Sequence, residues 1–150
     1  MDGEMREIEF RGKALISIEE LDEIGIKHIN GYVYGDLVDN SHIVTGILES
    51  NDEYICIETW CGIDQKTIGQ YTGLKDKNGK KIFEGDIVRN INGEYSYIGI
   101  VNKDRYTFYI KGVAPKDNYD FADVSDTVTG KSSLIVIGNI HENPEILEEQ

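Results

Sequence analysis

Along most of the chain, apolar and polar residues alternate with a period of two, which is the pattern of half-buried β-strands. Residues 7–11 alternate charged and apolar side chains, and runs rich in aromatic and β-branched residues follow at 31–38, 42–48 and 53–58. Clusters of turn-forming residues separate these runs. Strands at this spacing predict an N-terminal antiparallel meander.

A short stretch between the first two runs has helical periodicity instead. Ser17 followed by Glu20 forms a capping box, the sequence signature of a helix start. Gly25 stands where the residue after a helix end belongs. We predict a helix over residues 18–24, with its Ile-Leu-Ile stripe packed on the sheet, since so short a helix needs tertiary support.

Residues 70–88 contain two sharp chain reversals and predict a compact β unit. Asn78-Gly79 is typical of a two-residue type I′ hairpin turn, in which both residues have positive φ. We expect Asp76 and the flanking lysines to keep this turn solvated. In the second reversal, Asp86 is placed to accept hydrogen bonds from local backbone N–H groups.

Beyond this stretch, further strands follow one another at short intervals. Residues 86–91 and 95–101 flank a second Asn-Gly hairpin signal, and residues 105–110 form the next strand. Residues 134–137 are wholly apolar and predict a central buried strand. Such repetition favours a small barrel that closes on itself and so leaves no open edges.

Two other features qualify this picture. Gly35 and Gly46 interrupt predicted strands and indicate bulges or close backbone approach. Residues 111–130 are predicted to be a loop insert, which Phe121 and Val124 anchor to the core.

Four segments, in this order along the chain, resemble the YopX-like family of small bacteriophage and prophage proteins: residues 6–11, 31–37, 70–88 and 137–145. The resemblance implies an SH3-like small β-barrel in the second half and a phage-encoded protein that acts in the bacterial cytoplasm. It implies no activity and supplies no catalytic residues. The chain departs from the shortest members of that family at residues 13–30 and after Lys111.

These observations together predict a mainly β protein with small helices. An N-terminal β-rich lobe, residues 1–70, carries the meander and the short helix. A second lobe, residues 71–150, forms the SH3-like barrel, and we expect the two to make one YopX-like unit.

Charge narrows the choice of partner. The net charge is −13 and the pI is near 4.5, which argues against binding nucleic acid through its phosphates. A local basic cluster at Lys75, Lys77, Lys80 and Lys81 is interpreted as the solvated turn. No apolar run is long enough for a membrane span, and residues 1–5 lack the apolar core of a secretory signal.

No catalytic, cofactor or metal site is predicted. Cys56 lies in a strand pattern and is expected to be packed, whereas Cys61, in a predicted loop over residues 61–65, is expected to be a free thiol. Their spacing fits no zinc site, and a cytosolic protein seldom holds a disulfide. Two further groups of candidate ligands match no known spacing: the histidines (His28, His42, His141) and the aspartates of the insert (Asp117, Asp120, Asp123, Asp126).

Tyrosines on predicted strands are the remaining candidates for an interaction surface: Tyr32, Tyr34, Tyr95, Tyr97, Tyr106 and Tyr109. Exposed tyrosines are common in interfaces, but these could equally pack in the core. The leading hypothesis is a non-enzymatic accessory protein that binds a host or phage protein or assembles with itself. The alternatives are an enzyme whose site is built from loops and a nucleic-acid-associated barrel.

Overall fold

The structure is a computed structural model that describes residues 7–91, 96–126 and 128–148. The chain divides into two compact units, the first from Glu7 to Gln70 and the second from Tyr71 onward. Strands dominate both units and helices are few and short, which confirms the predicted fold class.

The first unit is an antiparallel sheet whose ends meet. Strand β1 pairs with β2 and also with β4, so the order β1-β2-β3-β4 returns to its start. The elements are β1 (Phe10–Ala14), α1 (Ile18–Ile24), β2 (Tyr32–Val38), β3 (His42–Ser50) and the first part of β4 (Ile55–Lys75). The predicted meander corresponds to β2, β3 and β4.

Close contact within this sheet depends on Gly35. A Cβ atom at that position would lie 1.8 Å from the carbonyl oxygen of Val44, and φ is 154°. The predicted close approach is therefore confirmed, and Gly46 lies at shifts in the register of β3 with β4. The first strand lies later than predicted, because β1 begins at Phe10 and continues through Gly12.

Helix α1 begins and ends where its capping residues predict. The Glu20 N–H donates to Ser17 Oγ over 3.1 Å, and Gly25 adopts the left-handed conformation with φ 85°. Leu21 is fully buried, but Ile18 and Ile24 are 42% and 57% exposed. The prediction that the whole apolar stripe packs on the sheet is wrong at these two positions.

Both cysteines are free, as expected for Cys61, but Cys56 is not packed as predicted and Cys61 is the buried one. Strand β4 continues through residues 61–65, so the loop expected there does not form. Cys61 is consequently buried in the core of the first unit, and Cys56 is exposed. The other buried residues of that core are Ala14, Leu21, Ile26, Val33, Ile43 and Ile63.

The second unit is built on a five-stranded sheet in the order β12-β6-β7-β8-β9. It forms a partial ring, since β12 and β9 are its two edges. Its elements are the end of β4, β5 (Lys81–Phe83), β6 (Asp86–Asn90), β7 (Tyr97–Lys103), β8 (Phe108–Ala114), β9 (Asn118–Tyr119), a 3-10 turn (Phe121–Asp123), β10 (Ser125–Asp126), β11 (Lys131–Ser132), β12 (Leu134–Asn139) and α2 (Glu145–Glu148).

The position of β12 corrects one prediction. The apolar run 134–137 is predicted to be a central strand, but β12 pairs with β6 alone among the described strands. Only Leu134 is fully buried, because an edge strand has core on fewer sides. The apolar run therefore marks a strand, but it predicts neither the full burial of that strand nor its place in the sheet.

Of two other predicted strand connections, one is correct. Strands β6 and β7 pair as expected, and their Asn92-Gly93 turn lies outside the described residues. The β7–β8 turn comes later than predicted, at Asp104–Thr107, so Tyr106 is in a turn and not on a strand. Asp104 accepts the N–H groups of Thr107 and Tyr106, and these bonds lower its pKa.

The β4–β5 turn forms at Asn78-Gly79 but not as a type I′ turn. Gly79 has φ 84° and its N–H donates to the Asp76 carbonyl, whereas Asn78 does not have positive φ. Asp76 is 3% exposed, so the prediction that it keeps the turn solvated is wrong. Its carboxylate accepts backbone N–H groups instead.

Asp86 behaves as its sequence context predicts, accepting the Phe83 N–H over 2.8 Å. The segment 111–130 contains short strands and a 3-10 turn between its loops. Phe121 is buried, and Val124 packs against the same core, so the predicted anchoring is confirmed.

Candidate functional site

Five exposed apolar or aromatic side chains of the first unit lie together on one hairpin: Ile47, Leu48, Tyr54, Ile55 and Ile57. Residues 47–58, from the end of β3 to the start of β4, are all exposed, and we call this segment the arm. Its turn is closed by Asn51, whose Oδ1 accepts the N–H groups of Glu53 and Tyr54 over 2.8 and 3.1 Å. An Asx turn of this kind holds a hairpin tip without any buried contact.

One face of the arm is apolar. Ile47 lies directly opposite Ile57, and Ile55 shares their face because it is two residues from Ile57 on the same strand. Leu48, at a shift in the register, is 67% exposed. A two-stranded hairpin on its own is at best marginally stable in water. A partner that covers the apolar face would therefore stabilise the arm.

A groove of about 270 Å³ lies beside the base of the arm. Trp60, 61% exposed, and Ile24 are part of its lining. The remaining lining residues are Ile16, Ile26, Glu58, Thr59, Cys61 and Gly62. An exposed Trp next to an apolar groove is the type of side chain that most often dominates the energy of protein interfaces.

The arm and the sequence on either side of it carry charge of one sign. Between Lys27 and Lys66 the chain contains no Lys or Arg. The acidic residues in the same interval are Asp36, Asp39, Glu49, Asp52, Glu53, Glu58 and Asp64. Four of these lie within the arm, so the apolar face is bordered by carboxylates.

The tyrosines predicted for an interaction surface in the first unit are not on this arm. Tyr32 is 3% exposed, and the charged ends of Arg11 and Lys13 lie 5.6 and 5.3 Å from its ring centroid. Tyr34 is half-buried. Tyr54 is the tyrosine that the arm exposes, and its hydroxyl donates to Glu49 over 2.9 Å.

In the second unit, the predicted tyrosines differ in how far they are exposed. Tyr97 is 5% exposed and stacks on Tyr119 at 3.8 Å between ring centroids. Tyr109 is half-buried, and Tyr106 is 88% exposed at the β7–β8 turn. Tyr95 lies outside the described residues.

His28 and Cys61, two groups whose chemistry could support catalysis, have structural roles in the first unit. His28 Nε2 is 2.7 Å from Asp22 Oδ1, and its Nδ1 accepts the Gly31 N–H, so both ring nitrogens hold local structure. Burial raises the pKa of the Cys61 thiol, which disfavours the nucleophilic thiolate. Within residues 7–91, 96–126 and 128–148, no three or more His, Cys, Asp or Glu side chains cluster as metal ligands would.

The arm is not identifiable from the sequence as a site. Its residues fit a half-buried strand pattern, and only the structure shows that neither face is covered. The absence of Lys and Arg from residues 28–65 is the available signal, because it leaves this segment with acidic side chains as its only ordinary charges.

Membrane-crossing helices are not found in the part of the chain that the structure describes.

Comparison with known proteins gives a family and a fold. The model of a family described as YopX protein matches residues 26–148. Among solved structures, the chain is similar to protein EF1440 from Enterococcus faecalis, with 23% sequence identity and a TM-score of 0.57. That match covers 95% of this chain and 99% of EF1440. No curated protein matches the chain.

Proposed function

The chain belongs to the YopX protein family, and from that premise we propose that it is a phage-type accessory protein that binds another protein through the arm. In this proposal it acts in the cytoplasm of a bacterial cell and catalyses no reaction. The observation that carries the proposal is the exposed apolar face of the arm, beside the groove that Trp60 lines.

The arm exposes a large apolar surface for so short a segment. Leu48, Ile55 and Tyr54 each have at least half of their surface exposed. Burying one large aliphatic side chain completely is worth about 1.5–3 kcal/mol, so a partner that covers several of these has a substantial driving force. Contiguous apolar patches on a protein surface commonly mark interaction sites.

Charge selects the kind of partner. The arm carries Glu49, Asp52, Glu53 and Glu58 and no basic residue, so pairing it with the arm of a second copy would bring like charges together. A partner that presents apolar side chains flanked by Lys or Arg satisfies both features. We therefore infer a basic protein surface as the occupant.

Site-specific photo-crosslinking tests this proposal and identifies the partner in the same experiment. Benzoylphenylalanine would replace Leu48 on the arm in one variant and Tyr106 in the matched control, since both side chains are highly exposed. The proposal predicts a cross-linked basic protein from bacterial lysate at position 48 and none at position 106. The purified partner should then bind the wild-type chain, and Ile55→Glu should weaken that binding at least tenfold.

Three results would contradict the proposal. Cross-linking at position 106 alone would favour the predicted tyrosine surface instead. A cross-link from position 48 to a second copy of the chain would replace the basic partner by self-assembly. Binding of the purified partner that Ile55→Glu leaves unchanged would remove the arm from the interface.

A further inference from the structure

Three lysines converge on a cavity of the second unit, although the protein is strongly acidic overall. The cavity has a volume of about 530 Å³ and is lined by Lys75, Lys77 and Lys131. Asp76, Gly79 and Ser132 complete the lining. We call this the lysine cavity.

Two distant parts of the chain build the lysine cavity. Lys131 on β11 lies opposite Lys75 on β4 in a parallel pairing. The Lys75 N–H donates to the Gly130 carbonyl over 2.7 Å, and Ser132 Oγ donates to the Lys75 carbonyl over 2.8 Å. These bonds fix the backbones from which the lysines extend.

Among the described residues, the carboxylate in the lining forms no ion pair with these lysines. Asp76 is 3% exposed, and its two oxygens accept backbone N–H groups from Asn78, Lys80 and Val136. The Asp76 carboxylate is thus held by the backbone of the turn. The side chains of the three lysines in the lining are exposed.

Other acidic side chains also leave these lysines without an ion-pair partner. Among the described residues, Lys75, Lys77 and Lys131 are within ion-pair distance of no Asp or Glu. Asp126 lies near one of them: hydrogen bonds from the backbone N–H groups of Val128 and Thr129 lower the pKa of Asp126, and the charge of Lys131 adds a smaller effect. Three like charges on one concavity repel one another, and an anion relieves that repulsion.

We propose that the lysine cavity binds a compact ligand bearing several phosphate groups, such as a nucleoside triphosphate. Lysine is a common phosphate ligand, and the volume falls within the range of small-molecule sites. A long nucleic acid fits less well, because it would extend past the cavity over a protein of net charge −13. This site is independent of the arm, since it lies in the other unit and recognises the opposite charge.

Titration of the full chain with ATP, inorganic tripolyphosphate and a single-stranded oligothymidylate tests the proposal. The readout is the amide NMR spectrum at low ionic strength, with Lys77, Gly79 and Ser132 as reporters. We expect ATP and tripolyphosphate to shift these amides, with an affinity that falls as salt is added.

The matched variants separate a site from a general charge effect. Lys77→Gln/Lys131→Gln removes two charges from the cavity, and Lys66→Gln/Lys116→Gln removes two exposed charges elsewhere. We expect the first pair to weaken tripolyphosphate binding about tenfold, as two surface charge contacts of modest strength would, and the second less than about twofold.

Several outcomes would overturn the proposal. One is the absence of shifts at the three reporter amides with either small ligand. Another is an equal loss of tripolyphosphate affinity in both double variants, since this would show that the overall charge of the protein attracts the anion and that the cavity is not a specific site. Binding of the oligothymidylate alone would assign the lysines to nucleic acid instead.

Discussion

The two hairpins that involve β4 share a local design and differ in what surrounds them. At the β3–β4 tip, Asn51 accepts two backbone N–H groups of its own turn; at the β4–β5 tip, Asp76 Oδ1 does the same for Asn78 and Lys80. Asp76 Oδ2 additionally accepts the Val136 N–H over 3.1 Å. The two turns are thus closed in the same way, but bonds to distant residues, one of them across 60 residues, join the β4–β5 hairpin to its core, whereas the arm is exposed.

Removing Asp76 should produce the largest effect. Asp76→Ala deletes the acceptor of three backbone N–H groups, and leaving buried donors unpaired costs about 1–3 kcal/mol each, less where water can reach them. We expect the free energy of unfolding to fall by about 3 kcal/mol. Urea titration followed by circular dichroism measures this fall in the free energy of unfolding. Faster hydrogen exchange at Lys80 and Val136 would show that the loss is at this turn.

Asp76→Asn is the matched control, because it keeps one carbonyl acceptor at the same place. The free energy of unfolding of Asp76→Asn should lie between those of the wild type and Asp76→Ala. If Asp76→Ala costs less than about 1 kcal/mol, the long-range bond does not distinguish the two hairpins.

Tyr97 and Tyr54 extend the comparison to buried and exposed tyrosines. Burial, with Tyr119 and Asp123 nearby, raises the pKa of Tyr97 to about 12 from 10. Since the folded protein holds this proton more tightly than the unfolded chain does, stability is complete below pH 10 and falls between pH 10 and 12. The loss is on the order of 2 kcal/mol.

Tyr97→Phe should abolish this alkaline loss, and Tyr54→Phe should retain it. Urea unfolding at about pH 9 and about pH 11.5, on either side of the ordinary tyrosine pKa, measures the difference. Within the described residues the Tyr97 hydroxyl has no hydrogen-bond partner, so the phenylalanine variant should be no less stable at the lower pH. An unchanged alkaline loss in Tyr97→Phe would assign the titration to another group.

Asn51→Ala tests the exposed turn, and a smaller effect is expected than for Asp76→Ala. Its two acceptor bonds lie in water, so replacing them with bonds to solvent should cost about 0.5–1 kcal/mol. Faster hydrogen exchange at Glu53 and Tyr54 would show that the loss is local. A cost equal to that of Asp76→Ala would mean that the arm is as firmly held as the β4–β5 turn.

Ile57→Thr should have the smallest effect on the isolated protein. Ile57 is 41% exposed, and threonine keeps the β-branched shape that strands favour, so we expect a cost below about 0.5 kcal/mol. Ile43→Thr, at a fully buried position of the same unit, is the control and should cost about 2 kcal/mol or more. Similar costs would indicate that Ile57 contributes to the core and is not free to bind a partner.

Features fixed by neighbouring residues could be predicted from the sequence. The capping of α1 by Ser17 and Gly25, and the bond from Phe83 to Asp86, depend on spacings of a few residues. The mainly β fold followed from the period of the apolar pattern. Each of these is determined by local backbone geometry and by which side of a strand meets the core.

Features that depend on distant contacts could not be predicted. Whether Cys56 or Cys61 is buried depends on how far β4 extends beyond the core, which is set by pairing with other strands. The inward direction of Asp76 requires Val136, 60 residues away, and the lysine cavity requires Lys131. Patterns of neighbouring residues do not indicate which residues far along the chain will be in contact.

The segment without Lys or Arg has a practical consequence for peptide mapping. Trypsin cleaves after those two residues, so the whole arm, both cysteines and Trp60 leave the protein in a single peptide from His28 to Lys66. A protease that cleaves after glutamate has sites at Glu49, Glu53 and Glu58 instead. The rate of cutting at these three bonds therefore provides a direct footprint of whether the arm is covered.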